Sequence, residues 1–261
     1  MMGAELFAKL VEMEKDYVSL FSVSEEKKDK IRFTDHQLPT MYNHNFVHCK
    51  SEEGFVEFVN NELSSKETRD KGFLRVETLF SINEEDMLKF HVKPTMNKYI
   101  FLHIETRRHS ELRGNSDCHI VEAIDSKIMK DGIYMDIEAN KKDLGVDFAK
   151  RRIERKASVY KDENKNLQFF VCYHHGTPVG NIEYMALNSI VKLEDFDVLE
   201  AYQRRGFGTS ILKFLLEKAH NENVEDLYLI ADDSDTAKEM YEKCGFEKLG
   251  EKTELLFFLK N

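Results

Sequence analysis

The sequence predicts a mixed α+β protein, and three observations along the chain support this fold class. A buried strand ending at Val198, a short loop with two glycines and an apolar helix opened by Thr209 follow one another in the C-terminal half. Alternating strands at 167–173 and 179–186 flank a glycine-containing turn, which is typical of a β-hairpin. Helices and strands also occur in a similar order in both halves, which indicates a weak internal repeat.

The composition restricts the class of protein. The chain has 261 residues, of which 41% are hydrophobic and 33% charged, as expected for a globular protein with one large domain or two ordinary ones. The formal net charge of −10 disfavours nucleic acid as a partner. Four cysteines without metal-ligand spacing predict free thiols, no metal site and a reducing, cytoplasmic location. Charged residues throughout the first 21 positions argue against a membrane-spanning segment.

The N-terminal half is predicted to alternate helices and strands. Apolar residues at helical spacing predict a helix over residues 4–21, which either docks on the core or forms a homodimer contact. The elements predicted after it are a charged loop at 24–30, a strand at 31–34, a helix at 54–69 ended by Gly72, a strand at 73–80, a short helix at 84–90 capped by Asn83, and a buried strand at 99–105.

The C-terminal half follows a polar, basic stretch at 106–118, which we interpret as a mobile connection. Besides the hairpin, its predicted elements are strands at 119–125, 227–231 and 254–259, and helices at 146–160, 209–220 and 236–243, with an unassigned apolar stretch at 132–139. The basic residues of the 146–160 helix are predicted on its solvent-exposed face, the alternative being contact with substrate or cofactor: Lys150, Arg151, Arg152, Arg155 and Lys156.

Local echoes between the halves define two predicted domains, 1–115 and 116–261. Residues 76–80 resemble residues 224–228, and residues 85–88 resemble residues 238–241. The N-terminal copy has no glycine loop before its helix, so we expect it to shape a substrate cleft or cover a sheet edge rather than to bind a cofactor.

The stretch Gln203-Arg204-Arg205-Gly206-Phe207-Gly208 carries the most specific chemical prediction. The first N–H groups of a helix have no intrahelical partner and carry partial positive charge. The glycines let the loop backbone close around an oxyanion, and the arginines can add charge-assisted hydrogen bonds. The pattern therefore predicts a phosphate-binding loop, with a plain strand-to-helix turn as the alternative.

Together with Ala237, Tyr241, Gly245 and Phe246, this loop resembles the acyl-CoA site of the GCN5-related N-acetyltransferase (GNAT) superfamily. The resemblance covers roughly residues 119–261. It implies the GNAT fold in this half, a central mixed and mostly antiparallel sheet flanked by helices, and a smaller, degenerate α/β GNAT-like N-terminal domain. Ser234 stands where the family often has asparagine.

The resemblance implies acetyl-CoA as cosubstrate and assigns the residues that bind it. These are Phe196, Val198, Gln203, Arg204, Arg205, Gly206, Phe207, Gly208, Thr209, Ser234 and Ala237.

The chemistry of acyl transfer gives roles to two side chains. An alkyl amine is protonated at pH 7, so its attack needs a proton acceptor. Glu194 is the predicted general base, with an edge charge or a salt-bridge partner as the alternative. The resemblance assigns the Val198 N–H to the oxyanion and Tyr241 to protonation of the leaving thiolate, although Tyr241 could simply pack its ring. Asp195 is expected on the opposite face from Glu194 unless a bulge intervenes.

We therefore expect an N-acetyltransferase that moves an acetyl group from acetyl-CoA to an amine by direct attack. The acceptor is a small-molecule or peptide amine. Two alternatives remain open: a non-catalytic acyl-CoA-binding or regulatory protein of the same fold, and transfer of a different acyl group.

Overall fold

The computed structural model describes residues 2–162 and 164–259. Its helices are α1 (Met2–Ser19), α2 (Phe55–Ser64), α3 (Lys66–Lys71), α4 (Glu84–Lys89), α5 (Ser126–Leu144), α6 (Val146–Tyr160), α7 (Phe207–Asn221) and α8 (Ala237–Lys243). Its strands are β1 (Val23–Glu26), β2 (Lys30–Thr34), β3 (Phe46–Cys49), β4 (Phe73–Thr78), β5 (Thr95–Glu105), β6 (Cys118–Glu122), β7 (Leu167–His174), β8 (Thr177–Leu187), β9 (Ile190–Val198), β10 (Asp226–Asp232) and β11 (Glu247–Phe258).

The chain divides into two compact units that do not follow a single cut in the sequence. The first unit comprises Met1–Glu14, Phe101–Ile230 and Thr236–Leu249, and the second comprises Lys15–Ile100, Ala231–Asp235 and Gly250–Asn261. The division at residue 115 was drawn from a repeat along the sequence, and it stays a prediction.

In the second unit, β1, β2, β3, β4 and β11 lie side by side in that order. The pair β3 and β4 is parallel, and the other neighbours are antiparallel. Val59 of α2, Val76 of β4 and Phe257 of β11 are among the residues of its hydrophobic core. The apolar faces of these amphipathic segments explain why they pack into one layer of helices over the strands.

Local chemistry explains where the elements of this unit end. Gly72 adopts φ +78° after α3, and Asn83 caps α4 by accepting a hydrogen bond from the Asp86 N–H. Two predictions were wrong here. The predicted helix at 54–69 breaks at Ser65, which is extended and caps α3, and the predicted loop at 24–30 contains β1, which pairs with β2.

In the first unit, β10, β9, β8, β7 and β6 follow one another, with β9 and β10 parallel and the other neighbours antiparallel. Ile153 of α6 packs with Phe169 and Val171 of β7 in its hydrophobic core. A Cβ atom on Gly132 would lie 2.4 Å from the Phe169 ring, so a glycine is what lets α5 approach β7 this closely. The apolar stretch at 132–139, which the sequence pattern left unassigned, is part of α5.

Three further features of the first unit differ from the predictions or decide between them. The stretch at 106–118 begins with a 3₁₀ helix at Thr106–Glu111, and Arg108 Nη1 donates to the Gly245 carbonyl at 2.9 Å, so it is held in place by contacts rather than being a plain mobile connection. The final strand starts at Glu247 rather than at 254. The apolar side of α1 is buried within the chain, including Leu10 and Met13, which favours docking on the core over a dimer contact.

No helix in the described part of the chain is long and apolar enough to span a bilayer.

Candidate functional site

The parallel strands β9 and β10 separate halfway along their length. Their register runs from the pair Ile190–Asp226 to the pair Leu193–Leu229. Beyond Leu193, β9 continues to Val198 in register with β8 alone. The second half of β9 therefore presents one backbone edge that β10 does not occupy, at the strand that carries Glu194, Phe196 and Val198.

A β-bulge interrupts β9 at the same point. Glu183 of β8 faces Glu194, whereas Asn181, two residues earlier, faces Asp197, so β9 holds one extra residue between the two pairs. Asp195 lies in the bulge with φ +45°, a conformation that Asp tolerates better than most residues. The bulge breaks the regular alternation on which the expected orientation of Asp195 depended.

The predicted phosphate-binding stretch is a tight turn leading into α7. Gln203 Nε2 donates to the Val198 carbonyl at 2.9 Å and ties the turn back to the end of β9. Arg204 and Gly206 both have positive φ, +57° and +84°. Gly206 is the N-cap of α7, and no side chain in the described part of the chain caps the helix, so its first N–H groups are left for another acceptor.

The two glycines of the turn have different roles. Gly206 has φ +84°, which costs a residue with a side chain about 1–2 kcal/mol. Gly208 has no positive φ, and a Cβ atom there would lie 2.8 Å from Met240 Sδ. The absence of a side chain at Gly208 therefore serves the packing of α7 against α8.

Residues missed by the sequence reasoning hold the turn from outside. Asn115 Nδ2 donates to the Arg205 carbonyl at 3.0 Å, and the Asn115 N–H donates to Ser210 Oγ at 2.7 Å. A Cβ atom on Gly114 would lie 2.7 Å from the Ser210 Cα atom. The stretch Gly114-Asn115 could have drawn attention as a small, turn-forming pair, but nothing local pointed to α7.

Arg205 lies over aromatic rings next to the turn. Its guanidinium carbon is 5.3 Å from the Tyr202 ring centre and 5.7 Å from the Phe207 ring centre. Stacking of this kind holds a guanidinium in place while its N–H groups stay available for an anion. Phe207 itself is buried, and Thr209 lies in the first turn of the helix.

Glu194 lies within an ion-pair network on β9. Lys192 Nζ is 2.7 Å from Glu194 Oε2 and also contacts Glu14 of α1, while Tyr228 donates to Glu14 at 2.8 Å. Lys192 is 1% exposed, whereas the Glu194 side chain is 33% exposed. Burial alone would lower the pKa of Lys192, but the charges of Glu14 and Glu194 raise it above its usual value. Glu194 is thus both positioned by a permanent cation and open to solvent.

Tyr241 of α8 is 8% exposed. Its ring centre lies 6.3 Å from that of Phe196 on β9 and 5.8 Å from that of Phe246. The structure therefore brings Tyr241 and Phe196 together, two residues that the sequence had assigned separately to catalysis and to cofactor binding.

Ser234 and Ala237 lie around the start of α8. Ser234 Oγ donates to Asp232 Oδ1 at 2.7 Å, and Ala237 is the first residue of the helix. Ser234 belongs to the second compact unit. The assignment of both residues to cofactor binding stays a prediction.

A buried charge cluster lies beneath α5 and α6, on the face of the sheet that carries Glu183. Its charged members are Asp136, Arg152, Lys156, Glu183 and the half-buried Asp195 and Asp197, and Tyr160 donates a hydrogen bond to Glu183. Arg152 donates to Asp136 Oδ2 and Asp195 Oδ2, both at 2.6 Å. Lys156 Nζ lies 2.6 Å from Asp195 Oδ2 and 2.9 Å from Glu183 Oε1.

Two predicted surface residues were therefore placed on the wrong side of α6. Arg152 is 7% exposed and Lys156 is 2% exposed, whereas Lys150 and Arg151 are exposed as expected and Arg155 is half-buried. The reason is the presence of buried carboxylates on β8 and β9, which compensate the loss of hydration of the two cations.

The carboxyl groups of this buried charge cluster differ in their pKa values. Burial favours the neutral form of Asp195, yet the charges of Arg152 and Lys156 outweigh it and hold the pKa of Asp195 well below its usual range. Burial raises the pKa of Asp136 to about 6 against the opposing charge of Arg152. The pKa of Asp197 is also raised, by burial and by the nearby charge of Asp195.

An open cleft of about 500 Å³ lies beside the first turn of α7. It is lined by Arg108, Glu111, Leu112, Arg113, Thr209, Met240, Lys243, Cys244 and Gly245. Three of these side chains are basic and one, Glu111, is acidic and pairs with Arg108, so the lining of the cleft has a net positive charge.

One group of side chains near the turn has the spacing of metal ligands. Asp117, His174 and His175 place their ligand atoms within 4.8 Å of one another, and the His174 ring centre is 5.1 Å from that of Phe207. The expectation that the protein needs no metal stays a prediction.

Comparison with known proteins agrees with this geometry. Residues 136–255 match the acetyltransferase (GNAT) domain family. The uncharacterized N-acetyltransferase CgeE of Bacillus subtilis (strain 168) is 25% identical over 250 residues, which are 90% of this chain and 92% of that protein.

Two solved structures resemble nearly the whole chain. A functionally unknown conserved protein from Staphylococcus epidermidis ATCC 12228 has a TM-score of 0.80 and 20% identity, over 92% of this chain and 96% of that one. A tandem GNAT protein from the clavulanic acid biosynthesis pathway has a TM-score of 0.53 and 7% identity, over 96% of both chains. The predicted fold class and the resemblance to the GNAT superfamily are thereby confirmed, and a tandem GNAT fold matches both halves.

Proposed function

Because residues 136–255 form a GNAT acetyltransferase domain, we propose that the protein transfers an acetyl group from acetyl-CoA to an amine by direct attack. The proposal rests on the turn at 203–206, in which Arg204 and Gly206 have left-handed backbone conformations. This turn connects the open edge of β9 to the N-terminus of α7, which no described side chain caps. An N-terminus without a capping side chain favours an anionic group at that position.

The residues around the turn fit the pyrophosphate of acetyl-CoA. Backbone N–H groups of the first turn of α7 would bind its oxygens, and Arg204 and Arg205 would add charge-assisted hydrogen bonds. The cleft beside α7 carries Arg108, Arg113 and Lys243, whose charges suit further phosphate of the same molecule. When bound, acetyl-CoA supplies the thioester that is cleaved.

The open edge of β9 suits the thioester end of acetyl-CoA. The Val198 N–H lies where the pairing of β9 with β10 has ended, so it can donate to the oxyanion that forms on the acyl carbon. Phe196 and Tyr241 pack together beside it and would exclude water from the thioester.

The proton transfers are assigned to Glu194 and Tyr241. Glu194, held by Lys192 and partly exposed, accepts the proton that the amine must lose to attack. The new N–C bond forms as the C–S bond breaks, and Tyr241 protonates the leaving thiolate. No side chain is acylated in this scheme.

Thermal unfolding with and without acetyl-CoA tests the proposal. Acetyl-CoA at about 100 times its dissociation constant should stabilise the protein by roughly 2.7 kcal/mol, a rise in Tm of about 5–10 °C. The variant Gly206→Asp should lose the rise, because it adds a side chain and a negative charge where phosphate would bind. Gly145→Asp introduces the same side chain at another positive-φ glycine, where there is open space around it, and this control should keep the rise.

The absence of a rise in the wild type would contradict acetyl-CoA binding. A rise without release of free thiol in the presence of any amine would instead favour a non-catalytic acyl-CoA-binding protein, and faster thiol release with a longer acyl donor would favour a different acyl group.

A further inference from the structure

The buried charge cluster contains more acceptors than its own residues satisfy. Its carboxyl groups are those of Asp136, Glu183, Asp195 and Asp197, and its only cations are Arg152 and Lys156 among the described residues. Both cations pair with Asp195, Arg152 also pairs with Asp136 and Lys156 with Glu183, so Asp197 is the one carboxyl group of the cluster without an ion pair to a described residue.

Two oxygen atoms next to these carboxylates receive no hydrogen bond from any residue that the structure describes. Asp136 Oδ1 and Asn181 Oδ1 are buried and belong to residues that are 0% exposed. The orientation of Asn181 follows from its contact, because Nδ2 lies 3.4 Å from the Asp136 carboxylate and leaves the oxygen facing away. A buried acceptor left unpaired is costly and normally marks a missing donor.

Asp197 completes the same group. It accepts a hydrogen bond of 2.9 Å from Asn140 and makes no ion pair with any residue that the structure describes. Asn140 also donates to the Asp136 carbonyl at 3.0 Å, and Asp197 faces Asn181 across the strand pair. Asp136, Asn181 and Asp197 thus gather three acceptor groups, of which only Asp136 has a cation, Arg152 at Oδ2, and Asp197 is the partly exposed member of the group.

We propose that these three residues, Asp136, Asn181 and Asp197, bind a primary ammonium group of the acceptor substrate. A primary ammonium has three N–H donors and no acceptor, which matches two unpartnered oxygens and an uncompensated carboxylate. This inference rests on the proposed function, because it concerns the amine that receives the acyl group.

The bound ammonium is a recognition group rather than the nucleophile. Carboxylates and an amide oxygen around it stabilise its charged form, whereas the attacking nitrogen must be neutral. The acceptor therefore carries a second amine, which reacts beside Glu194. Glu194 and Asp197 are three residues apart on β9, at most about 10 Å along a strand and less across a bulge. An aliphatic diamine or polyamine has this size and charge.

The remaining unpartnered atom of the buried charge cluster, Arg152 Nε, is a donor and has no role toward an ammonium. The two other nitrogens of Arg152 already pair with Asp136 and Asp195, so the guanidinium holds these carboxylates in place and leaves Asp136 Oδ1 open.

The test compares 1,4-diaminobutane with butylamine, which has the same chain and one amine fewer. Calorimetric titration of the full-length protein should show binding of the diamine at least about tenfold tighter than that of the monoamine, as expected for a charge-assisted contact. In thiol-release assays with acetyl-CoA, the same preference should appear in KM rather than in kcat.

The variant Asp197→Asn should abolish this preference by weakening diamine binding about tenfold or more, while the acetyl-CoA thermal shift stays unchanged. Asp143→Asn, an exposed carboxylate on the same helix as Asp136, is the matched control and should keep the preference. Thermal unfolding without ligand shows whether Asp197→Asn is folded, and Asn181→Leu serves as the second variant, with the same loss expected.

The experiments distinguish loss of the ammonium site from absence of the proposed acetyltransferase activity. Equal affinity of the wild type for both amines, or diamine binding that survives both variants, overturns the ammonium site even if acetyl-CoA binds and an amine is acetylated. Diamine binding that depends on Asp197 supports the site even where acetyl-CoA gives no thermal shift.

Discussion

Lys156 Nζ lies 2.6 Å from Asp195 Oδ2 and 2.9 Å from Glu183 Oε1, with the lysine 2% exposed. One cation thus joins α6 to two neighbouring strands. Burial alone would lower the pKa of Lys156, but Asp195 and Glu183 raise it, so the ammonium stays charged. The contact holds the bulged part of β9, and with it Glu194, against a helix.

Replacing this lysine should therefore destabilise the fold strongly. Lys156→Met keeps the length of the side chain but leaves Glu183 and Asp195 without their shared cation, and breaking a buried ion pair costs about 3–5 kcal/mol. Urea unfolding measures the loss. Lys150→Met, on the exposed side of the same helix, should change the free energy of unfolding by less than about 0.5 kcal/mol. A loss below about 1 kcal/mol in Lys156→Met would mean that water replaces the ammonium.

The role of Glu194 can be tested without changing its shape. Glu194→Gln keeps the side-chain volume and removes the basic oxygen, so kcat for amine acetylation should fall by about 10²–10⁴. The acetyl-CoA thermal shift should stay. Glu217→Gln, an exposed residue of α7, is the control. An unchanged kcat would assign Glu194 to the ion pair with Lys192 alone.

The variant Tyr241→Phe tests the hydroxyl group of Tyr241 while keeping its ring. The ring contacts with Phe196 and Phe246 remain, so stability should change little, while kcat should fall by about 10²-fold through loss of the proton donor. The fall should be smaller for an acyl donor whose leaving thiol is more acidic, because such a thiolate leaves unprotonated. Tyr134→Phe changes an exposed hydroxyl and serves as the control. Equal falls with both donors would contradict the general-acid role.

Much of the fold was predictable because its signals are local. The periodicities of α1, α6 and α7, the hairpin of β7 and β8, and the caps at Gly72 and Asn83 depend on neighbouring residues. The glycine turn was recognisable for the same reason. The contacts that the sequence did not predict join residues that are far apart along the chain, and a local sequence pattern carries no information about such contacts.

The buried cations of α6 illustrate this limit. Arg152 meets Asp195, which is 43 residues further along, and the pattern of α6 alone places Arg152 with its exposed basic neighbours. Lys192 did offer a local signal, since it interrupts the apolar run Ile190-Val191-Lys192-Leu193. A lysine inside a buried strand predicts an acidic partner, but not that the partner is Glu14 of the first helix.

The raised pKa of Asp136 predicts a particular pH dependence of stability. Its value of about 6 in the fold, against about 3.9 in an unfolded chain, means that the folded state holds this proton more tightly. The contribution of Asp136 is therefore complete below about pH 4 and is lost as the pH rises through 6. A difference of about two pKa units corresponds to at most about 3 kcal/mol.

Comparison with Asp136→Asn isolates this effect, because the amide does not titrate. The free energy of unfolding of the wild type minus that of the variant should decrease by about 2 kcal/mol between pH 4.5 and pH 7.5, measured by urea unfolding. Asp143→Asn, which changes an exposed carboxylate of the same helix, is the matched control. A difference that stays constant or increases with pH for Asp136→Asn would mean that Arg152 outweighs burial and keeps Asp136 ionised.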